Sequence, residues 1–182
     1  MKINNLYAMM FLAGNAAVAP AQAETINTGS ELLSAIRNNG AGNTASLTLG
    51  QDIVLDENGG NVSGIVVIDG TENNYAIDGQ QHLGFALPAN TDNLTIQNAT
   101  LKNFGGVNSN TGIINNNAGG TVTLKNVIIQ DNTFQATHPG ETYAASPAHI
   151  NNAGEMSING KFINNQSKSN NDARANGGII AN

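Results

Sequence analysis

The sequence contains no cysteine and no tryptophan, and aromatic residues make up only 4% of it. Without cysteine the chain gains no disulfide stabilisation from an oxidising compartment and offers no thiol for a lipid anchor. The scarcity of aromatic residues argues against a stacking platform for sugars or bases. The chain is acidic, with a net charge of −6, and its charges are scattered. This favours solubility and argues against nucleic acid or an anionic membrane as a partner.

The sequence is rich in repeats. A triplet of apolar, hydroxyl and apolar residues starts at Leu94, Val122 and Met156, and a second short apolar stretch follows each one. In a strand, such a triplet places both apolar side chains on one face and the hydroxyl on the other. One strand cannot bury its apolar face alone, but strands stacked about 4.8 Å apart share one core. We therefore predict a set of inward-facing residues: Leu94, Ile96, Val122, Leu124, Met156 and Ile158.

A second repeated element is an isoleucine with an asparagine two residues later, and it occurs at Ile114, Ile150 and Ile180. Each repeat therefore carries at least three short strands with Asn- and Gly-rich corners between them. The spacing between repeats varies, which argues against a strict left-handed prism. The pattern predicts an all-β fold, a right-handed parallel β-helix of about five coils with loops of unequal length.

Asparagine accounts for about one residue in six. It tolerates the left-handed backbone conformation that sharp corners require, and stacked Asn amides can hydrogen bond to one another. We predict one ladder from Asn98 and Asn126, and another from Asn116, Asn152 and Asn182. An unfolded, low-complexity chain is the alternative for this composition, and the regular spacing of apolar residues argues against it.

The first 23 residues have the pattern of a signal peptide. Lys2 supplies a positive charge, residues 6–13 are apolar, and residues 21–23 form an Ala-Gln-Ala cleavage site that would leave Glu24 at the N-terminus. A membrane anchor is the alternative, but the apolar run is well short of the roughly 20 residues needed to span a bilayer. Residues 24–182 are assigned to one domain.

A short amphipathic helix is predicted at residues 30–39, within an N-terminal cap at residues 24–45. Thr28 and Glu31 fit a capping box that would begin this helix. Because the ends of a solenoid expose apolar edges, we expect the helix to cover the N-terminal end of the stack. At the other end, residues 177–182 open a new coil without a visible cap, so we expect the chain to be truncated.

Polysaccharide-cleaving β-helix enzymes need clustered carboxylates, or Ca²⁺-binding Asp residues with a nearby basic residue. The best candidates here are Asp69 and Asp78, but each precedes a glycine, and Asp-Gly is above all a turn dipeptide. Arg37 falls on the predicted helix and Arg174 in a loop, so neither is a base carried by a strand. We therefore predict no catalytic residue and no cofactor.

The three histidines lack the spacing of metal ligands, and we expect each of them to be an exposed loop residue rather than part of a metal site. They are His82, His138 and His149.

Hydroxyl residues recur at the outward position of successive triplets. Such a ladder could bind an ordered surface such as ice or a glycan, although β-branched residues suit strands in any case. Its predicted members are Thr48, Thr95, Thr123 and Ser157. Two long loops, 135–148 with His138 and Tyr143 and 166–176, are the other candidate contact sites, because insertions between coils leave the core untouched.

Residues 162–165 (FINN) and 177–180 (GGII) resemble the paired F-x-x-N and G-G-apolar repeats of the polymorphic outer membrane proteins and related autotransporter passenger domains. A one-residue gap near Gly160 is needed to align this motif with the preceding coils, because without it the wrong side chains would face inward. The alignment then matches Phe162 with Ile129 and Leu101, and Asn165 with Asn132.

The resemblance implies export from a bacterial cell and display of an adhesive or scaffolding surface toward a host cell or a glycan. It also implies passage through an outer-membrane translocation barrel. No barrel-type strands follow Asn182, so the barrel is expected from a missing C-terminal region or from another chain. The favoured function is thus a non-catalytic surface or secreted protein. A pectinase-like polysaccharide lyase or hydrolase is the alternative, and the lack of a clustered Asp and Arg set argues against it.

Overall fold

The computed structural model describes residues 23–107, 112–136, 149–169 and 179–181. Apart from Ala23, the predicted signal peptide lies outside these ranges. In the described part of the chain the regular structure is mostly β-strand, with one α-helix. No helix there is long and apolar enough to cross a membrane.

The helix α1 spans Gly29–Asn38. The strands are β1 (Glu24–Ile26), β2 (Thr44–Leu49), β3 (Ile53–Val54), β4 (Gly60–Asn61), β5 (Ile65–Asp69), β6 (Ala76–Asp78), β7 (Phe85–Ala86), β8 (Asn93–Gln97), β9 (Thr100–Lys102), β10 (Gly105–Val107), β11 (Ile114–Asn116), β12 (Thr121–Gln130), β13 (Thr133–Ala136), β14 (Ile150–Asn152), β15 (Glu155–Ile163), β16 (Gln166–Ser169) and β17 (Ile180–Ala181).

These strands form three sheets, and every pairing between the described strands is parallel. The largest runs β1-β2-β5-β8-β12-β9-β6-β3, with β15 also paired to β12. The second is β10-β13-β16, and the third is β17-β14-β11-β7-β4. Each strand therefore pairs with strands of neighbouring sequence repeats, as the repeated triplets predict.

The long strand β12 joins two arms of the largest sheet. Its first half pairs with β8 and its second half with β9. Asn126 is an extra residue in β12 opposite β15, where the register shifts between Lys125 and Val127. The gap predicted near Gly160 is therefore confirmed, and it pairs Ile129 with both Phe162 and Leu101.

The predicted core register is also confirmed. Val122 pairs with both Leu94 and Met156, and all three face the core. Leu94, Ile96, Val122 and Leu124 are fully buried. Met156 and Ile158 pack against this core but are only half-buried. Among the described strands, β12 pairs on both edges, with β8 and with β15, whereas β15 pairs only with β12.

The helix α1 begins one residue before the predicted start and ends one residue before the predicted end. Thr28 and Glu31 form the expected capping box, with the Glu31 amide donating to Thr28 Oγ1 over 3.2 Å. The apolar face of the helix is buried, through Leu32, Leu33 and Ile36. Gly29 lies against the Val54 carbonyl, so a larger residue there would push the helix off the strands.

The corners depend on asparagine, as predicted. Asn98 and Asn126 have φ angles of 49° and 51°, and Asn126 Nδ2 donates to Asn98 Oδ1 over 3.1 Å. In the third sheet, Asn116 Nδ2 donates to Asn152 Oδ1 over 2.7 Å. Both predicted ladders are therefore confirmed in the described residues, and Asn182 lies outside them.

The two predicted loops both begin with strand rather than loop. Gln135 lies in β13, and Gln166 begins β16, which pairs with β13 in parallel. The predicted boundaries are wrong because Thr, Gln and Ser carry little hydrophobic signal, although the inward Phe134 marks a strand. Most of the remaining loop residues lie outside the described ranges.

The left-handed corner at Asn126 predicts a graded mutational response. Changing Asn126→Val should destabilise the protein by about 1–2 kcal/mol more than Asn126→Gly, because a β-branched side chain resists positive φ. Both changes remove the side-chain hydrogen bond to Asn98. The glycine variant therefore measures the effect of losing that hydrogen bond without the conformational penalty. Chemical denaturation measures both; equal stability of the two variants would show that the corner does not require this conformation.

Candidate functional site

The largest sheet presents an outward side on β2, β5, β8 and the first halves of β12 and β15, which we call the outer face. In the middle of this face, one outward residue of each strand pairs directly with one of the next strand. These residues form a central column in which successive side chains lie about 4.8 Å apart. The column contains Ser46, Val67, Thr95, Thr123 and Ser157. None of these side chains carries a formal charge, and four of the five carry a hydroxyl.

The predicted hydroxyl ladder is thus correct for Thr95, Thr123 and Ser157 and wrong for Thr48. Thr48 pairs with Asp69 one column away. The sequence prediction matched Leu47-Thr48-Leu49 to the later triplets, whereas strand pairing places Ala45 and Leu47 at the inward positions. Val67 also interrupts the hydroxyls between Ser46 and Thr95.

Asp69 closes a turn and ties two repeats together. Its Oδ1 accepts from the Thr71 amide at 2.8 Å and from Asn98 Nδ2 at 3.1 Å. Its Oδ2 accepts from Gln97 Nε2 at 2.7 Å. Burial raises the pKa of Asp69, but these hydrogen bonds lower it, and the net pKa lies below the ordinary value. A catalytic acid near neutral pH needs the opposite shift, so Asp69 is suited to be a permanent acceptor.

Asp78 has a similar role on β6. Its carboxylate accepts from the Gln80 amide at 3.1 Å and from Asn103 Nδ2 at 2.9 Å, and Lys102 Nζ lies 3.9 Å away. The turn interpretation of Asp69 and Asp78 is therefore confirmed, since each carboxylate bonds to the backbone two residues later.

Arg37 lies on α1, as predicted, and its contacts are structural. Its Nη1 atom forms an ion pair with Glu57 Oε1 at 2.8 Å, and its Nη2 atom donates to the Asn58 carbonyl at 2.9 Å. Both side chains of the ion pair are largely exposed, so the pair contributes little to stability. Arg174 lies outside the described residues.

The described residues do not assemble a metal site, since no group of three or more His, Asp or Glu side chains is placed to hold an ion there. A concavity beside the C-terminal end of α1 is lined mainly by asparagine, threonine and alanine, with Glu24 as its one carboxylate. It therefore brings no pair of carboxylates together. His138 and Tyr143 lie outside the described ranges.

The prediction that His149 is an exposed loop residue is wrong. His149 is fully buried and packs edge-on against Phe134, with ring centroids 5.1 Å apart. Backbone hydrogen bonds align His149 with Ile113 in the preceding repeat and with Ile179 in the following one. The alignment of Ile114, Ile150 and Ile180 already contained this signal, because it places His149 in an apolar column. His82 is half-buried rather than exposed.

The buried imidazole is only partly hydrogen bonded. His149 Nε2 lies 3.2 Å from the Asn132 carbonyl, which can only accept, so Nε2 carries the hydrogen. Nδ1 then carries a bare lone pair, and it has no hydrogen-bond partner among the described residues. Burial lowers the pKa of His149, and the bond to Asn132 offsets part of this effect. The native state therefore favours the neutral ring.

The F-x-x-N motif has a structural explanation in this chain. Asn132 is fully buried, and its Oδ1 accepts from the Phe104 amide at 2.7 Å. Its Nδ2 donates to Asn165 Oδ1 at 2.8 Å, and Asn165 Nδ2 donates to the Ile129 carbonyl at 2.7 Å. These amides satisfy backbone groups where the chain turns inside the core, so the motif stabilises the stack.

Comparison of the chain with protein-family models, with curated proteins and with solved structures finds no match.

The buried His149 predicts acid destabilisation. As pH falls below about 6.5, the unfolded chain binds a proton at His149 before the folded chain does, so the free energy of unfolding decreases. The free energy of unfolding should fall by up to about 1.4 kcal/mol per pH unit. Below about pH 4, protonation of Asp69 should lower it further. Denaturation between pH 7 and 4.5 measures this slope.

The variant His149→Leu should remove most of that slope, because the column neighbours Ile113 and Ile179 show that the position suits an apolar side chain. The matched control is His82→Leu. This variant retains the buried ring of His149 and should therefore retain the acid destabilisation. An unchanged slope in His149→Leu would contradict the assignment.

Proposed function

We propose that the chain is a right-handed parallel β-helix of about five coils, with its three sheets as walls. Support comes from the parallel pairing of repeat with repeat and from the left-handed asparagines at the corners. A right-handed path is favoured because connections between parallel strands of one sheet are almost always right-handed. In this arrangement α1 would close the N-terminal end.

We further propose that the protein is non-catalytic and acts by surface contact. The observation that carries this proposal is the outer face, where five uncharged side chains stand in register on consecutive strands. A rigid, regularly spaced hydroxyl surface suits a partner that is itself regular, such as a glycan array on a cell surface. The segments 137–148 and 170–176, which are predicted to be loops, would add contacts.

A polysaccharide lyase or hydrolase is the alternative class. The hydrogen bonds that Asp69 and Asp78 already accept argue against it. Each carboxylate already accepts hydrogen bonds from a turn amide and from the side chains of a neighbouring repeat. Using either one as a base, or as a calcium ligand, would break bonds that hold adjacent repeats together.

The place of action follows from the predicted signal peptide and from the resemblance to autotransporter passenger domains. We propose export from a bacterial cell and display at its surface or release from it, with an outer-membrane barrel supplied by a missing C-terminal region or by another chain. Export is tested by the N-terminus of the secreted protein, which should be Glu24; an intact Met1 on exported material would oppose this step.

The contact proposal predicts that the outer face is needed for binding to cells or immobilised glycans. Thr123→Lys should weaken binding, because it places a long charged side chain in the middle of the central column. Gln130→Lys is the matched control, since it adds the same charge on the outward side of the other half of β12. Equal binding by both variants would show that the contact lies elsewhere, and deletion of residues 137–148 would then test the first predicted loop.

The same proposal predicts no cleavage of acidic polysaccharides, with or without Ca²⁺. Release of unsaturated or reducing ends, measured by absorbance or a reducing-sugar assay, would oppose the non-catalytic function if Asp69→Ala or Asp78→Ala abolished it. Glu72→Ala, which changes an exposed carboxylate in the same turn region as Asp69, serves as the control.

A further inference from the structure

His149 is the only buried basic side chain in the described part of the chain. Its backbone is aligned with Ile113 of the preceding repeat and Ile179 of the following one, so repeats that the structure describes lie on both sides of it. Nε2 donates to the Asn132 carbonyl over 3.2 Å, and Nδ1 is buried without a hydrogen-bond partner. The site therefore holds a neutral ring, because a proton on Nδ1 would have no acceptor.

This histidine connects two of the three sheets. Its carbonyl accepts the Ile113 amide over 2.7 Å, and the next residue, Ile150, begins β14 of the third sheet. Its side chain packs on the second sheet instead, where Phe134 lies in β13 and Asn132 directly precedes that strand. The imidazole is thus a side-chain contact that holds β13 against β14.

The strands around this contact offer no carboxylate to an imidazolium. β10, β11, β13, β14 and β17 contain no charged residue, and the charged residue of β16 is Lys168, whose side chain is exposed. Asp131, which precedes Asn132, is exposed and accepts from Asn164 Nδ2. Burial therefore lowers the pKa of His149 without a charge partner, and only the hydrogen bond to Asn132 opposes this effect.

We propose that His149 is an acid-sensitive contact, whose protonation separates β13 from β14 while the repeats that contain β2 and β5 stay folded. Protonation places a positive charge and a second N–H group where no described residue offers an acceptor. The charged ring is stable only where it reaches water, so acid favours the open state. The opening is local because stacked repeats interact mainly with their neighbours. This behaviour is independent of the proposed contact function.

Hydrogen exchange of the 182-residue chain at pH 7 and pH 5 tests this proposal. The readout is the protection factor, the intrinsic exchange rate divided by the measured rate, which removes the ordinary effect of pH on exchange. The Ile113 and Thr133 amides, whose hydrogen bonds lie at this contact, should lose protection by up to about tenfold per pH unit below about pH 6.5. The Gly50 and Ile65 amides, which bond within the N-terminal repeats, should keep their protection.

His149→Leu should make the protection of Ile113 and Thr133 independent of pH over this range, because leucine suits the apolar site and cannot bind a proton. His82→Leu is the matched control, and it should retain the loss of protection in acid because it leaves His149 unchanged. An equal loss in the N-terminal repeats would show global unfolding and overturn the local contact. No loss at Ile113 and Thr133 in the unmodified chain would overturn the proposal as a whole.

Nuclear magnetic resonance of isotope-labelled histidine gives a second readout that needs no variant. At pH 7 the His149 ring should be neutral, with its hydrogen on Nε2. As the pH falls, the charged ring should appear together with the loss of protection at Ile113. A ring that is charged while Ile113 and Thr133 stay protected would show that the closed protein accommodates an imidazolium, and this would overturn the proposal. A hydrogen on Nδ1 at pH 7 would overturn it as well.

Discussion

Parallel pairing of each strand with its equivalent in the next repeat is the constraint on which the rest of the structure depends. At a spacing of about 4.8 Å, the same position of successive repeats must carry side chains that pack on one another. The inward columns accordingly contain Leu94, Val122 and Met156, and the outward column contains hydroxyl residues. Corners must stack as well, and this explains why Asn98 and Asn126 share both a conformation and a hydrogen bond.

The sequence predicts the features that periodicity encodes. The triplets at Leu94 and Val122 determine the core register, and the mismatch near Gly160 locates the extra residue Asn126. The prediction fails where a residue is interpreted without the residues at the equivalent position of the neighbouring repeats. The sequence analysis places His149 in an exposed loop because the histidines lack the spacing of metal ligands, although its column neighbours Ile113 and Ile179 are apolar. Thr48 was misplaced because a local Leu-Thr-Leu match cannot reveal a shift of two residues, which only pairing with β5 decides.

The candidate contact surfaces follow from the same stacking. Because outward side chains are aligned from strand to strand, the sheet presents a regular face, and Asp69 and Asp78 bond to turn amides. Asp69 and Asp78 are therefore better explained as acceptors that join repeats than as a catalytic pair. In the largest sheet β15 pairs with β12, and in the third sheet the stacking continues from β14 to β17.

The absence of native cysteine allows the register to be tested by introduced disulfides. Thr95→Cys with Thr123→Cys places two thiols on directly paired outward positions, about 4.8 Å apart between Cα atoms, within the range of a disulfide. Thr95→Cys with Thr121→Cys offsets the pair by two residues, to about 8 Å, beyond that range. The account predicts rapid intramolecular cross-linking of the 95/123 pair and little of the 95/121 pair, measured by mass spectrometry after mild oxidation. Preferential cross-linking of the 95/121 pair would contradict the parallel register and the core that follows from it.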